Sequence, residues 1–197
     1  MDQVFKRAIL RTLVGIGILL VVTIPAFILL FPSTMMHITY DLGMENASVR
    51  YAMRVYSKTD DIDYIAHATE TAIMADNDEK IEVCGLQFVQ HADFTAYCAL
   101  REQQAQTAGL YKQYIYGQIA LAQYRQGKAT DAISTAVSAL GQNAFPQNNA
   151  FVALSLQALM RNDAQTVALL QQKITELDNG LSGADKAYLD ELATLFR

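Results

Sequence analysis

The sequence predicts an all-α protein: one N-terminal transmembrane helix followed by a stack of antiparallel helical hairpins. Three observations point that way. From Thr12 to Phe31 the chain reads TLVGIGILLVVTIPAFILLF, with no charged or strongly polar side chain. Beyond Met44 it is rich in Ala, Gln, Leu, Met and Glu, its β-branched runs are short, and Pro146 is its single proline. Its polar breaks pair a helix stop with a residue able to cap the next helix.

The span comes first. Twenty helical residues at about 1.5 Å each cover roughly 30 Å, the thickness of a bilayer's hydrocarbon core. In lipid every backbone N–H and C=O must pair internally, so such a run inserts as a helix, and a proline such as Pro25 is tolerated there as a mild kink. Lys6, Arg7 and Arg11 precede the span against Asp2 alone, and no Lys or Arg follows it before Arg50. The positive-inside rule therefore keeps residues 1–11 cytoplasmic and sends the C-terminal domain across. The apolar run, residues 12–31, exceeds the roughly 7–15 residues of a cleaved signal, and no Ala-x-Ala follows it. An uncleaved signal anchor is expected.

Residues 32–43 (PSTMMHITYDLG) show no clear period and carry helix-breaking residues at both ends. They read as a juxtamembrane linker, with Met35, Met36, Ile38 and Tyr40 at the headgroup level. Residues 44–197 then form the helical domain. Beyond the span lie 12 Lys and Arg (15 less 3) and 19 Asp and Glu (20 less 1), a net of −7. That acidity argues against a nucleic-acid binder, which needs a basic footprint. With 52% hydrophobic residues and two cysteines, neither a disordered chain nor a disulfide-dense miniature fold fits.

Within the domain the breaks fall at Lys58 to Asp61, Asp76 to Glu79, His91 to Asp93, Gly127-Lys128, Gly141 to Pro146, Arg161 to Asp163 and Asp178 to Gly183. They delimit helices of about 12–17 residues with short connections, the proportions of antiparallel helix pairs. The pairs repeat. Phe151, Leu154 and Ser155 stand 35 residues after Tyr116, Ile119 and Ala120, and Ala132 is preceded at 34 by Cys98 and at a further 33 by Ile65. Asn162 stands where Gly127 does, and Asp93 and Asp60 fill the same turn position. The segment Tyr116–Leu140 resembles the tetratricopeptide repeat, whose 34-residue period sets bulky-x-x-apolar-small before a glycine and then small residues in the second helix. Phe151–Ile174 is a fair copy and the two nearer the span are degenerate: the family favours an aromatic where Ala136 and Gln171 stand, and Gly85 and Ala52 are weak apolar matches. Ala184–Phe196 would cap the stack with Leu189, Leu192 and Phe196.

The resemblance implies a groove built from the first helix of each pair, where a protein or peptide partner binds. Carried over, its positions include Tyr114, Leu121, Tyr124 and Arg125 in the best copy and Leu156 in the next. Tyr114 and Tyr124 offer contact area with one hydrogen bond each, while Tyr116 reads as core. Arg50, Arg54 and Lys58 recur at intervals of four, a basic stripe suited to a partner's carboxylates or lipid headgroups, or else a solvated face paired with Asp60, Asp61 and Asp63.

Catalytic signatures are missing: no H-E-x-x-H, Walker loop, G-x-S-x-G or dinucleotide fingerprint occurs. Cys84, His91 and Cys98 are spaced seven and seven, which fits no common zinc module. No cofactor is expected. Cys84 reads as lying off the contact face and Cys98 as small and buried, leaving a disulfide or two free thiols both open. The expectation is a membrane-anchored scaffold with a bilayer and a protein partner, self-association remaining open. The alternative is an accessory subunit of a membrane-bound enzyme or transporter.

Overall fold

The computed structural model describes residues 2–105, 110–139, 150–178, 184–194 and 196. Among them there are helices and no strand. The helices are α1 (Asp2–Leu30), α2 (Pro32–Asp41), α3 (Glu45–Thr59), α4 (Ile62–Met74), α5 (Asp78–Gln90), α6 (Phe94–Ala105), α7 (Leu110–Arg125), α8 (Ala129–Ser138), α9 (Ala150–Met160), α10 (Ala164–Asp178) and α11 (Ala184–Thr194).

Their ends follow from local chemistry. Asp60 takes a left-handed conformation (φ 52°) to close α3, and the next residue, Asp61, accepts the Asp63 N–H at 3.0 Å to open α4. Asn77 caps α5 by accepting from Lys80 N–H, and Asp163 caps α10 by accepting from Thr166 N–H at 3.0 Å. Gly127, at φ 79°, makes the reversal between α7 and α8 that an L side chain would strain. The breaks at 141–146 and 179–183 lie outside the described residues.

α1 continues through Pro25, and Thr12–Leu30 has a mean hydropathy of 2.8 with none of it buried inside the molecule. It is long and apolar enough to cross a membrane. The helical path breaks only at Phe31 (φ −122°, ψ 59°) before Pro32 starts α2. Residues 32–43, expected as a juxtamembrane linker without a clear period, are mostly helix. Met36, expected at the headgroups, is instead buried against α3 at 3% exposure, and Thr39 is buried beside it. Pro32 in the first turn carries the helical φ without a missing hydrogen bond, and the Ser48 hydroxyl donates to Met36 O at 3.0 Å, tying α2 to α3.

Consecutive helices pack on one another around two apolar clusters. The first, from α2 to α7, gathers Met36, Val49, Ile65, Ile81, Phe88, Phe94, Ile115 and Ile119. The second, from α7 to α11, gathers Tyr124, Ile133, Phe151, Leu154, Leu170, Ile174 and Leu189. α7 serves both. Fully buried alanines, among them Ala52, Ala66, Ala120 and Ala132, stand where backbones approach. Phe196 packs on the second cluster; the Leu192 side chain lies outside the described residues.

One pairing departs from the 34-residue frame, which makes α5 and α6 a hairpin. Asp78, Glu82 and Gly85 of α5 meet Arg125, Gln123 and Ile119 of α7, an antiparallel order. α6 instead lies near the end of that pair, its Phe94 and Tyr97 edge-on to Phe88 at 4.9 and 5.5 Å and Phe94 reaching Tyr116 at 6.0 Å. Gly85, without a Cβ, is what admits α7 so close to α5.

Candidate interaction surfaces

The residues expected to line a groove divide into exposed and internal ones. Tyr114 on α7 and Leu156 on α9 are both 45% exposed, and Leu121, seven residues after Tyr114 on the same face, is half-buried. α7 and α9 run parallel: Gly117 stands against Ala150, and the Tyr124 hydroxyl donates to Asp163 Oδ2 at 2.9 Å. Leu121 and Leu156 therefore lie at similar heights along the two helices.

Tyr124 and Arg125 are not free contact groups. Tyr124 is 7% exposed, bonded to Asp163 and covered by the Arg161 guanidinium 5.4 Å above its ring. Burial, with Asp163 adding to it, raises its pKa. Arg125 Nε donates to both Asp78 carboxylate oxygens at 2.8 and 3.0 Å, with Asp76 3.6 Å away. Its hydrogen bond to Asp78 holds the guanidinium charged, more firmly than its burial opposes it. Both residues tie helices together. Sequence could not reveal this, because their acidic partners stand 39 and 47 positions away.

Arg50 and Lys58 are exposed and Arg54 is half-buried. None of the three is within ion-pair distance of Asp60, Asp61 or Asp63, and among the described residues their side chains have no acidic partner.

Two polar clusters were not anticipated. In the first, the Ser48 hydroxyl donates to Met36 O at 3.0 Å, and His67 Nε2 lies 3.1 Å from Ser48 Oγ and 3.4 Å from Thr71 Oγ1. The rings of Tyr40 and His37 lie 5.2 and 6.3 Å from His67. Burial, with His37 assisting, lowers the His67 pKa. Ser48 is fully buried, so no substrate carbonyl can reach its oxygen. In the second cluster, Glu70 of α4 accepts from Arg101 of α6 at 2.8 Å and from the Tyr111 hydroxyl of α7 at 2.7 Å. That cluster ties three helices.

The cysteines are free and both buried, the second of the two alternatives the sequence leaves open. Burial pushes the thiols up to about 11 for Cys84 and about 12 for Cys98. Among the described residues no three His, Cys, Asp or Glu side chains converge as metal ligands. A cleft of about 310 Å³ lies between α8 and α10 along Ile133, Val137 and Leu169, and another of about 570 Å³ lies beside Arg125, Arg161 and Asp163. In the second, Asp163 is held below the usual carboxylate range by hydrogen bonds from Thr166, so it acts as a helix cap.

Neither a protein family, nor a curated protein, nor a solved structure matches the chain.

Proposed function

We propose that the chain is a membrane-anchored scaffold: α1 crosses a bilayer and the helical domain recruits a protein or peptide partner along its α7–α9 face. The observation that carries this reading is the uncovered apolar length of α1. Thr12–Leu30 touches almost nothing else in the chain, and burying its apolar surface in lipid removes the cost of leaving it in water. The flanking Lys6, Arg7 and Arg11 support a cytoplasmic N-terminus and an extracytoplasmic domain. A reporter enzyme fused after Arg197 would then be active only outside the cytoplasm.

The tetratricopeptide-like reading is supported by contacts at near-constant offset. Asn46 meets Lys80, 34 residues on, at 2.7 Å, and Asp60 O meets His91, 31 residues on, at 3.1 Å, so α3 and α5 run parallel. Gly117 meets Ala150, 33 residues on, which relates α7 to α9 similarly. The α5–α7 pairing marks where one such unit joins the next. Tyr114, Leu121 and Leu156 are the groove residues we assign to the partner, since they combine apolar area with exposure.

Affinity capture with the full-length protein tests the assignment. Tyr114→Ala/Leu156→Asp should release partners that the wild type retains, with helical content unchanged. Retention of the same partners by the variant would overturn it.

A further inference from the structure

We infer that α2 and α3 together form a second membrane-binding surface that lies on the bilayer and binds anionic lipid headgroups through Arg50, Arg54 and Lys58. This rests on α1 being a transmembrane anchor.

The charge pattern is the first argument. Beyond the span the other described cations are engaged. Arg101 pairs with Glu70, Arg125 with Asp78, Lys128 with Glu82, Lys173 with Glu176 and Lys186 with Asp190. Lys80 bonds Asn46, while Lys112 and Arg161 lie over aromatic rings. The three cations with no such partner are those of one face of one helix, the first after α2. In a region of net charge −7 an unpaired basic stripe has anionic complementarity with something outside the chain.

The second argument is an apolar face without a protein partner. Along α2 and its two caps, Phe31, Ile38 and Leu42 are 49%, 41% and 68% exposed, with Met35 half-buried among them at helical spacing. This face continues directly from the span. It also shares a side with the stripe, because His67 of α4 meets both helices on another side: its Nε2 lies 3.1 Å from Ser48 Oγ of α3, and its ring lies 5.2 Å from that of Tyr40 of α2, tilted by 59°.

Register supplies the third. Met44 N–H bonds Thr39 O and Ser48 bonds Met36 O, so α3 runs back antiparallel to α2, and Arg54 falls level with the end of the span. α3 has 15 residues against 10 in α2. Were α2 to continue α1 along the membrane normal, the last turn of α3, with Lys58, and the Asp60 that closes it would enter hydrocarbon, where charge is costly. The break at Phe31 permits the alternative, in which the pair lies along the surface. The apolar face of α2 then dips between headgroups and the stripe meets their phosphates.

The chain has no tryptophan, so one introduced as Ser57→Trp, exposed between Arg54 and Lys58, reports alone. The full-length protein is reconstituted in phosphatidylcholine vesicles, with or without about a third phosphatidylglycerol, each carrying a headgroup nitroxide quencher. With anionic lipid, quenching should rise about twofold or more, since each cation adds about fivefold to lipid preference. The rise should vanish in Arg50→Gln/Arg54→Gln/Lys58→Gln and at about 1 M salt, where screening is nearly complete. Equal quenching in both vesicles, or a rise that survives the triple substitution, overturns the inference. So does equal quenching that soluble polyglutamate relieves, which would assign the stripe to an acidic polypeptide. Flotation separates the two readings: protein that fails to float with either vesicle overturns the anchor itself.

Discussion

Gly85 on α5 and Ile119 on α7 stand so close that a Cβ on Gly85 would lie 2.5 Å from Ile119 Cγ1 and 2.8 Å from Cδ1. Ile119 is fully buried and cannot swing away. Gly85→Ala should therefore destabilise the protein by about 1–2 kcal/mol, overpacking outweighing the better helix propensity of alanine. Gly117→Ala should do the reverse. Its added Cβ would meet Ala150 at 3.6 Å, an ordinary contact, so a gain of about 0.5–1 kcal/mol is expected. Urea unfolding of the two variants checks both signs.

Arg125 and Asp78 join the end of α7 to the start of α5, their side chains 25% and 27% exposed. A double-mutant cycle of Arg125→Ala and Asp78→Ala should give a coupling of about 1–2 kcal/mol, above the usual value for exposed pairs. A coupling near zero would return Arg125 to the pool of partner-binding residues.

Helix boundaries were legible in the sequence because capping is local: Asp61, Asn77 and Asp163 each bond an N–H two or three residues on. Long-range pairings were not. Gly85 reads as a weak helix residue until Ile119, 34 positions away, explains it. α2 is hard to read from sequence because the apolar residues on and just after it face two ways, Met36 toward α3 and Ile38 and Leu42 outward, which blurs the period. Tyr124 and Arg125 matched groove positions by spacing, but spacing carries no information about Asp163 or Asp78.

The seat of Met36 makes α2 part of the folded domain. A fragment of residues 32–197 should exceed one of residues 44–197 in stability by about 2 kcal/mol or more, from Met36 burial and the Ser48 bond. Equal denaturation midpoints would make α2 an independent linker.

Proton linkage gives a further check. The folded state lowers the pKa of His67 from 6.5, so below that value the unfolded chain binds protons that the folded one resists. The His67 contribution is fully present above the unfolded pKa and is lost as pH falls through 6.5 toward the folded value. His67→Gln should flatten the stability–pH curve in that window relative to wild type. An unchanged slope would mean His67 titrates as if exposed.

With thiols raised to about 11 and about 12, Cys84 and Cys98 should resist iodoacetamide at neutral pH while folded and react once the chain is denatured. Rapid native labelling would contradict their burial.

The anchor is tested most directly by alkaline carbonate extraction of membranes holding the full-length chain. The wild type should stay in the pellet, and Leu19→Arg/Val21→Arg, with two charges in mid-span, should shift to the supernatant. Wild-type protein released by carbonate would contradict a membrane-spanning α1.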